Sequence, residues 1–127
     1  MALTTIVITL ALAEYIVFSA LVGKARGKYE VKAPAISGHP IFERYYRVQQ
    51  NTLELLVIFI PGMVMFAHYV REDIAAGLGL IFIIGRLLYF KGYVNDPKTR
   101  GTGFILSFIP SLTLIAGGLI GAVMSLL

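Results

Sequence analysis

The stretch ERYYRVQQNTLELLVIFIPGMVMFA, residues 43–67, changes character halfway along its length. Its first twelve residues include two arginines, two glutamines, one asparagine and two glutamates, whereas the last thirteen are all apolar. The apolar run from Leu53 to Val70, with Glu54 near its start, approaches the roughly 20 residues that a helix needs to cross about 30 Å of hydrocarbon. Ionisable groups at membrane depth are costly and usually have a purpose. The polar half therefore requires a functional or structural explanation.

The rest of the chain is equally apolar. Hydrophobic residues make up 57% of the 127 residues, the mean hydropathy is +0.81 and only 14% are charged, against roughly 25% in a soluble domain. Three further apolar runs cover residues 2–22, 74–90 and 101–127. The first is too long for a signal-peptide core and is expected to stay as a helix. We expect an all-α, integral membrane four-helix bundle, a single transmembrane domain over residues 1–127 with helices at about 2–23, 44–70, 74–93 and 101–126.

Basic residues are concentrated in the first and third loops. Six lie between Lys24 and Arg47, and four more lie between Arg86 and Arg100, whereas the second loop has only Arg71. The positive-inside tendency places these two loops in the cytoplasm and both termini of this multi-pass protein on the opposite side. The charge therefore indicates anionic lipid or an anionic small molecule, and no nucleic-acid partner.

The absence of cysteine excludes disulfides, thiolate metal sites and a cysteine nucleophile. Two histidines far apart in the chain make a poor metal set, so no metal is expected. If sulfur chemistry occurs here, the thiol comes from a substrate.

Two polar stripes approach the same membrane face. On a helix starting near Glu43, Arg47, Asn51 and Glu54 are spaced i, i+4 and i+7 and share one face. They offer a guanidinium for a carboxylate, an amide, and a carboxylate for an ammonium. Alternatively, Arg44 and Arg47 extend to the lipid headgroups while Asn51 and Glu54 connect helices.

The second stripe lies in GRLLYFKGY, residues 85–93, where Arg86, Tyr89 and Tyr93 are spaced i, i+3 and i+7. The alternative for its tyrosines is an interfacial aromatic belt beside a snorkelling arginine. Arg100 opens the fourth helix at the same face. Together these groups suit a small zwitterion with two carboxylates and one amine, a description that glutathione fits. An arginine would stabilise its thiolate without itself titrating.

Glu14 is the only charge in the first helix and is expected near the middle of the membrane. A proton-coupled carrier would need such a carboxylate. We favour a buried, hydrogen-bonded structural role for it over transport.

The motifs FERYYRVQQNTLE, residues 42–54, and GRLLYFKGY, followed seven residues later by Arg100, resemble those of MAPEG, the membrane-associated proteins in eicosanoid and glutathione metabolism. The similarity is greatest to the branch with leukotriene C synthase and the microsomal glutathione transferases of types two and three, and this chain looks like a short, bacterial-like member. The resemblance covers nearly the whole chain. It implies a homotrimer that holds glutathione between neighbouring subunits near the cytoplasmic face.

Carried over residue by residue, the resemblance makes Arg100 the catalytic group that activates the thiol. It implies that glutathione is bound by Arg47, Asn51, Glu54, Arg86, Tyr89 and Tyr93, with Gln49 and Arg26 as peripheral contacts. Leu55, Gly27 and Pro61 depart from the branch's pattern, which leaves the choice of electrophile open.

The resulting hypothesis is a membrane glutathione transferase with glutathione as co-substrate, which conjugates lipophilic electrophiles that arrive through the bilayer. Reduction of lipid hydroperoxides is a second candidate activity. Detoxification or eicosanoid metabolism would be its setting. Two alternatives are a small proton-coupled multidrug transporter that uses Glu14 and a non-catalytic lipid-binding MAPEG relative.

Overall fold

The computed structural model describes all 127 residues and contains four long α-helices with no strands. Helix α1 covers Ala2–Tyr29, α2 Pro40–Tyr69, α3 Glu72–Asn95 and α4 Gly101–Ser125, and a single turn of 3-10 helix, Pro97–Thr99, precedes α4. Each helix is long and apolar enough to cross a membrane. The all-helical architecture predicted from the hydropathy pattern is confirmed.

Helices α1 and α2 are longer than their apolar runs. Helix α1 continues six residues beyond the expected position 23, and α2 begins four residues before position 44. At 1.5 Å per residue the 28 residues of α1 extend about 42 Å, more than the roughly 30 Å of hydrocarbon. Hydropathy marks where a helix leaves the lipid, whereas lysine and arginine are good helix formers that let it continue into water. The first turn of α2 is fixed by His39, whose Nδ1 accepts from the Ile41 amide at 3.1 Å.

The four helices form a bundle in which α2 and α3 both contact every other helix. At its centre the rings of Phe59 and Phe82 stack with centroids 3.9 Å apart, and Met63 and Leu114 pack in the same cluster. Helices α2 and α4 pass through Pro61 and Pro110 without interruption. Large apolar side chains cover the outside of all four helices, as expected of a surface in lipid.

Because neighbouring helices alternate in direction, the connections at residues 30–39 and 96–100 lie at one end of the bundle. We call this the basic end, since most lysines and arginines are found there. The chain start and the turn at residues 70–71 lie at the other end, where the Leu3 amide donates to Glu72 Oε1 at 3.0 Å. The α3–α4 pair is closest toward the basic end, where Gly103 of α4 lies directly against the backbone of Tyr89.

Candidate functional site at the basic end

Arg86 is the most deeply buried charged group in the protein. Its side chain has no solvent exposure, and its donors reach two neighbouring helices. Nε donates to Ser107 Oγ of α4 at 2.8 Å, and Nη1 donates to Asn51 Oδ1 of α2 at 2.7 Å and to Thr52 Oγ1 at 3.3 Å. Arg86 therefore joins α2, α3 and α4 from inside the bundle. It is not on the surface, where a ligand from solvent would meet it.

Thr52 and Ser107 belong to this network although the sequence did not single them out. Both side chains are fully buried. Ser107 also donates to the Gly103 carbonyl at 2.6 Å, so its oxygen is held in place from its own helix. The sequence contains only a weak indication of these two residues, because a hydroxyl in an apolar helix commonly bonds to its own backbone. Nothing in the sequence indicates that the hydroxyl also accepts a hydrogen bond from an arginine on another helix.

The contact with Arg86 fixes the orientation of the Asn51 amide. Because a guanidinium only donates, the atom that it meets must be the Asn51 oxygen, and the amide NH₂ group is left free to donate elsewhere. Asn51 is half-buried, whereas Arg47 and Glu54 on the same face of α2 are exposed. The stripe therefore has exposed charges at both ends, Arg47 and Glu54, with the partly buried and oriented amide of Asn51 between them.

An aromatic chain connects this network with Arg100. The Arg86 guanidinium carbon lies 4.3 Å from the ring centre of Tyr89, and the rings of Tyr89 and Tyr93 are 5.5 Å apart. The Arg100 guanidinium carbon lies 5.9 Å from the Tyr93 ring centre. The two sequence stripes and Arg100 thus come together at one place.

Arg100 is held at the start of α4 by its own turn. Its Nη1 donates to the Pro97 carbonyl at 2.7 Å, and the side chain is exposed. This bond restrains one edge of the guanidinium. Its remaining N–H groups make no hydrogen bond to protein and are available to an anionic ligand.

The two peripheral residues have protein partners in this structure. Arg26 donates through Nη1 to the carbonyls of Val31 at 3.3 Å and Ala35 at 2.5 Å, and its guanidinium carbon is 4.9 Å from the Phe42 ring centre. It thereby orders the first loop. Gln49 Nε2 donates to Ser19 Oγ at 3.0 Å, which leaves its side-chain oxygen free to accept.

Arg44 has a structural role. Its Nη1 donates to the carbonyls of Val94 at 3.0 Å and Asn95 at 3.2 Å, where the last carbonyls of α3 have no helical partner. A cation at this position also complements the negative end of the helix dipole. Arg44 therefore attaches α2 to the end of α3 beside the candidate site.

The candidate site is a face of the bundle and not an enclosed cavity. None of the cavities in the chain is lined by Arg47, Asn51, Glu54, Tyr93 or Arg100. Exposed charges of both signs stand on this face beside aromatic rings. A single chain would cover only one side of a ligand bound here.

These features define an integral, multi-pass membrane protein of four helices with a charged face at one end. The MAPEG family model matches residues 4–120, and the chain belongs to the MAPEG family. The resemblance seen in the two motifs is thereby confirmed.

The relatives found by sequence comparison include named transferases. Human microsomal glutathione S-transferase 2 is 48% identical over 103 residues, which cover 80% of this chain and 70% of that protein. Leukotriene C4 synthase of Cavia porcellus is 37% identical over 83 residues, covering 65% and 55% respectively. An uncharacterised protein of Synechocystis is 44% identical over 115 residues, covering 91% and 84%.

Proposed function

We propose that this protein is a membrane-embedded glutathione transferase that conjugates glutathione to lipophilic electrophiles drawn from the bilayer. The observation that carries the proposal is the convergence of the two polar stripes with Arg100 at the basic end. Membership in MAPEG and similarity to proteins named as glutathione transferases support the same chemistry. They favour it over a proton-coupled transporter, which would need none of the Arg47, Asn51 and Glu54 stripe.

In this proposal the exposed charges bind the ends of the tripeptide. Arg47 pairs with a carboxylate, and Glu54 pairs with the α-ammonium group. Asn51 donates its free NH₂ group to the peptide between them, since Arg86 already occupies its oxygen. Arg86 is then a positioning residue that acts through Asn51, and Tyr89 and Tyr93 form the aromatic wall. Gln49 and Arg26 are peripheral.

Arg100 supplies the catalytic charge. The thiol proton of glutathione leaves to water, and the free N–H groups of Arg100 stabilise the thiolate sulfur that remains. The sulfur then attacks the electrophilic carbon, a carbon–sulfur bond forms, and the leaving group departs with the bonding electron pair. The same residues would support a peroxidase reaction. The thiolate attacks the terminal oxygen of a lipid hydroperoxide, the O–O bond breaks, and the lipid alkoxide leaves and takes up a proton to become an alcohol. A second glutathione thiol then attacks the sulfenic acid on the first, which releases water and glutathione disulfide.

The open face is the argument for an oligomer. A single chain leaves the charged residues of the site uncovered, and a second copy packed on this face would enclose the ligand from the other side. We propose a homotrimer, the assembly that the family resemblance implies, with each site between two subunits. The excess of lysine and arginine at the basic end supports a cytoplasmic position for the sites, with both termini on the opposite side.

The decisive experiment removes Arg100 and follows the bound thiol. A thiolate absorbs in the ultraviolet where a thiol does not, so difference spectra of bound glutathione report its ionisation directly. In Arg100→Ala the pKa of the bound thiol should rise toward its solution value of roughly 8.5, and conjugation of an aryl halide at neutral pH should slow while glutathione still binds. Each pKa unit corresponds to about 1.4 kcal/mol of lost thiolate stabilisation.

Two further variants test whether the effect on the bound thiol depends on the planar guanidinium of Arg100. Arg100→Lys should restore the thiolate only in part, because a flexible point charge replaces a planar group. Lys98→Ala is the matched control, since it removes an exposed cation from the same loop. Identical titration of the bound thiol in wild type and Arg100→Ala would remove Arg100 from the mechanism. Absence of glutathione binding to the wild type would reject the transferase altogether.

A further inference from the structure

Glu14 and Arg86 are the only charged side chains in the interior of the bundle. Glu14 lies at the middle of α1 with only 9% of its surface exposed, and neither carboxylate oxygen has a hydrogen-bond partner among the protein atoms. Arg86 uses Nε and Nη1 for hydrogen bonds, but its buried Nη2 also has no protein partner. One acidic and one cationic side chain thus lie inside an otherwise uncharged core, and each has buried polar atoms without a hydrogen-bond partner.

The two residues lie at the same level of the bundle. One turn to either side of them, α1 and α3 contribute to the same core clusters, which contain Ala11 with Phe82 and Phe18 with Tyr89. Glu14 also lines a groove between α1 and α3 together with Ile83 and Leu87, the residues that flank Arg86 on the lipid-facing side. Glu14 and Arg86 form no direct ion pair, since the ion pairs of the chain are those of the N-terminus with Glu72 and of Arg71 with Asp73.

Glu14 is the only buried acid that could balance the charge of Arg86. The three hydrogen-bond acceptors of Arg86, Asn51, Thr52 and Ser107, are all neutral. The remaining side chains around the groove that Glu14 lines are apolar. An uncompensated charge in a protein interior costs several kcal/mol, and a lipid surrounding offers no water to reduce that cost.

We propose that Glu14 is the counter-charge of Arg86 and, through Arg86, a positioning residue for Asn51. The part concerning Asn51 rests on the proposed glutathione site. A bridging water can connect polar groups that make no direct contact, and one placed between Glu14 and Arg86 would give a partner to the Glu14 carboxylate and to Nη2 of Arg86. With its charge compensated, the Arg86 guanidinium stays ionised inside the bundle and keeps its hydrogen bond to the Asn51 oxygen. The Asn51 NH₂ group therefore stays directed outward.

The charge of Glu14 can be measured without reference to any substrate. The infrared difference spectrum between wild type and Glu14→Gln isolates the bands of this one side chain. A counter-charge predicts the band of an ionised carboxylate at neutral pH. In the Arg86→Gln background the same difference should show a protonated carboxyl, because the cation that favours ionisation is gone. A protonated band in the wild-type background would overturn the proposal.

A double-mutant cycle tests the coupling between the two residues. Glu14→Gln and Arg86→Gln should each lower the Tm in detergent, and the double variant should lose less than the sum of the two, since neighbouring partners are not additive. Additive losses would show that the two charges do not interact. If Arg86→Gln fails to fold, the spectrum of Glu14→Gln alone still decides the ionisation state.

The effect on Asn51 needs a readout that simple packing would not change. Glutamine has nearly the shape of glutamate, so Glu14→Gln keeps the volume and removes the charge. We expect its Kd for glutathione to rise about tenfold, within the usual range for coupled neighbours, with kcat at saturating glutathione nearly unchanged. The Kd of Glu14→Asp, which keeps the charge on a shorter side chain, should be closer to the wild-type value than the Kd of Glu14→Gln.

Thr4→Val is the matched control for these variants. Thr4 is another buried polar residue of α1 whose hydroxyl has no protein partner, and it lies almost three turns from Glu14. Its replacement should leave the Kd for glutathione unchanged. Equal Kd values in Glu14→Gln and wild type would remove the positioning role even if the ion pair exists. If wild type binds no glutathione, the proposed function fails, whereas the infrared spectra and the stability cycle still decide the pairing.

Discussion

Replacing Gly103 by alanine should separate α3 from α4 and break the network around Arg86. A Cβ atom at position 103 would lie 2.2 Å from the Tyr89 nitrogen and 2.5 Å from its Cα, both of them backbone atoms that cannot rotate away. Ordinary contact begins at 3.4 Å, so the helices must move apart by about 1.2 Å at this level. Ser107 is one turn further along α4 on the same face and would move with it.

The energetic cost follows from that displacement. A shift of this size would stretch the 2.8 Å contact between Arg86 Nε and Ser107 Oγ to about 4 Å, beyond the range of a hydrogen bond. Overpacking costs about 1–3 kcal/mol, and a lost hydrogen bond to a charged group about 1.5–3 kcal/mol. Alanine is a better helix former than glycine, which offsets roughly 0.5–1 kcal/mol of this loss. The expected net loss is roughly 2 to 5 kcal/mol.

The chain supplies its own control for this prediction. Gly101 lies two residues earlier in α4, and a Cβ there would meet nothing within 4 Å. Unfolding of both variants in mixed detergent micelles, followed by circular dichroism, gives the free-energy difference, and calorimetry gives the Kd for glutathione. We expect Gly101→Ala to match wild type in both. A Gly103→Ala variant as stable as Gly101→Ala, with unchanged glutathione affinity, would refute the close α3–α4 contact and its role in holding Arg86.

Three further expectations concern the site and its assembly. Arg47→Ala and Glu54→Ala should each weaken glutathione binding by about one to two decades, since a charge-assisted contact contributes roughly 1.5–3 kcal/mol, with little loss of kcat; calorimetry showing unchanged affinity in both would exclude these contacts. Ser107→Ala should destabilise the protein by about 1–3 kcal/mol, because it leaves Arg86 Nε buried without an acceptor, and a denaturation midpoint equal to wild type would contradict this. Native mass spectrometry in detergent should show a homotrimer, and a stable monomer would argue against a site between subunits.

The sequence by itself determined the four helices and the grouping of polar residues on them. Apolar runs near membrane length leave few alternatives to spanning helices, and the 3.6-residue period placed Arg47, Asn51 and Glu54 on one face of α2. The same period placed Arg86, Tyr89 and Tyr93 on one face of α3. Loop charge indicated that both stripes share one end of the bundle with Arg100. These conclusions depend only on local geometry and on the cost of charge in lipid.

Only the tertiary structure decided which of these polar groups are inside. In a soluble helix the hydrophobic stripe marks the buried face, but lipid and protein interior are equally apolar, so the pattern on a membrane helix does not reveal its rotation. The direction of Arg86 toward Asn51, Thr52 and Ser107, and the level that it shares with Glu14, depend on how α1, α2 and α4 pack around α3. That packing depends on backbone approach at residues such as Gly103, which the hydropathy of the chain does not record.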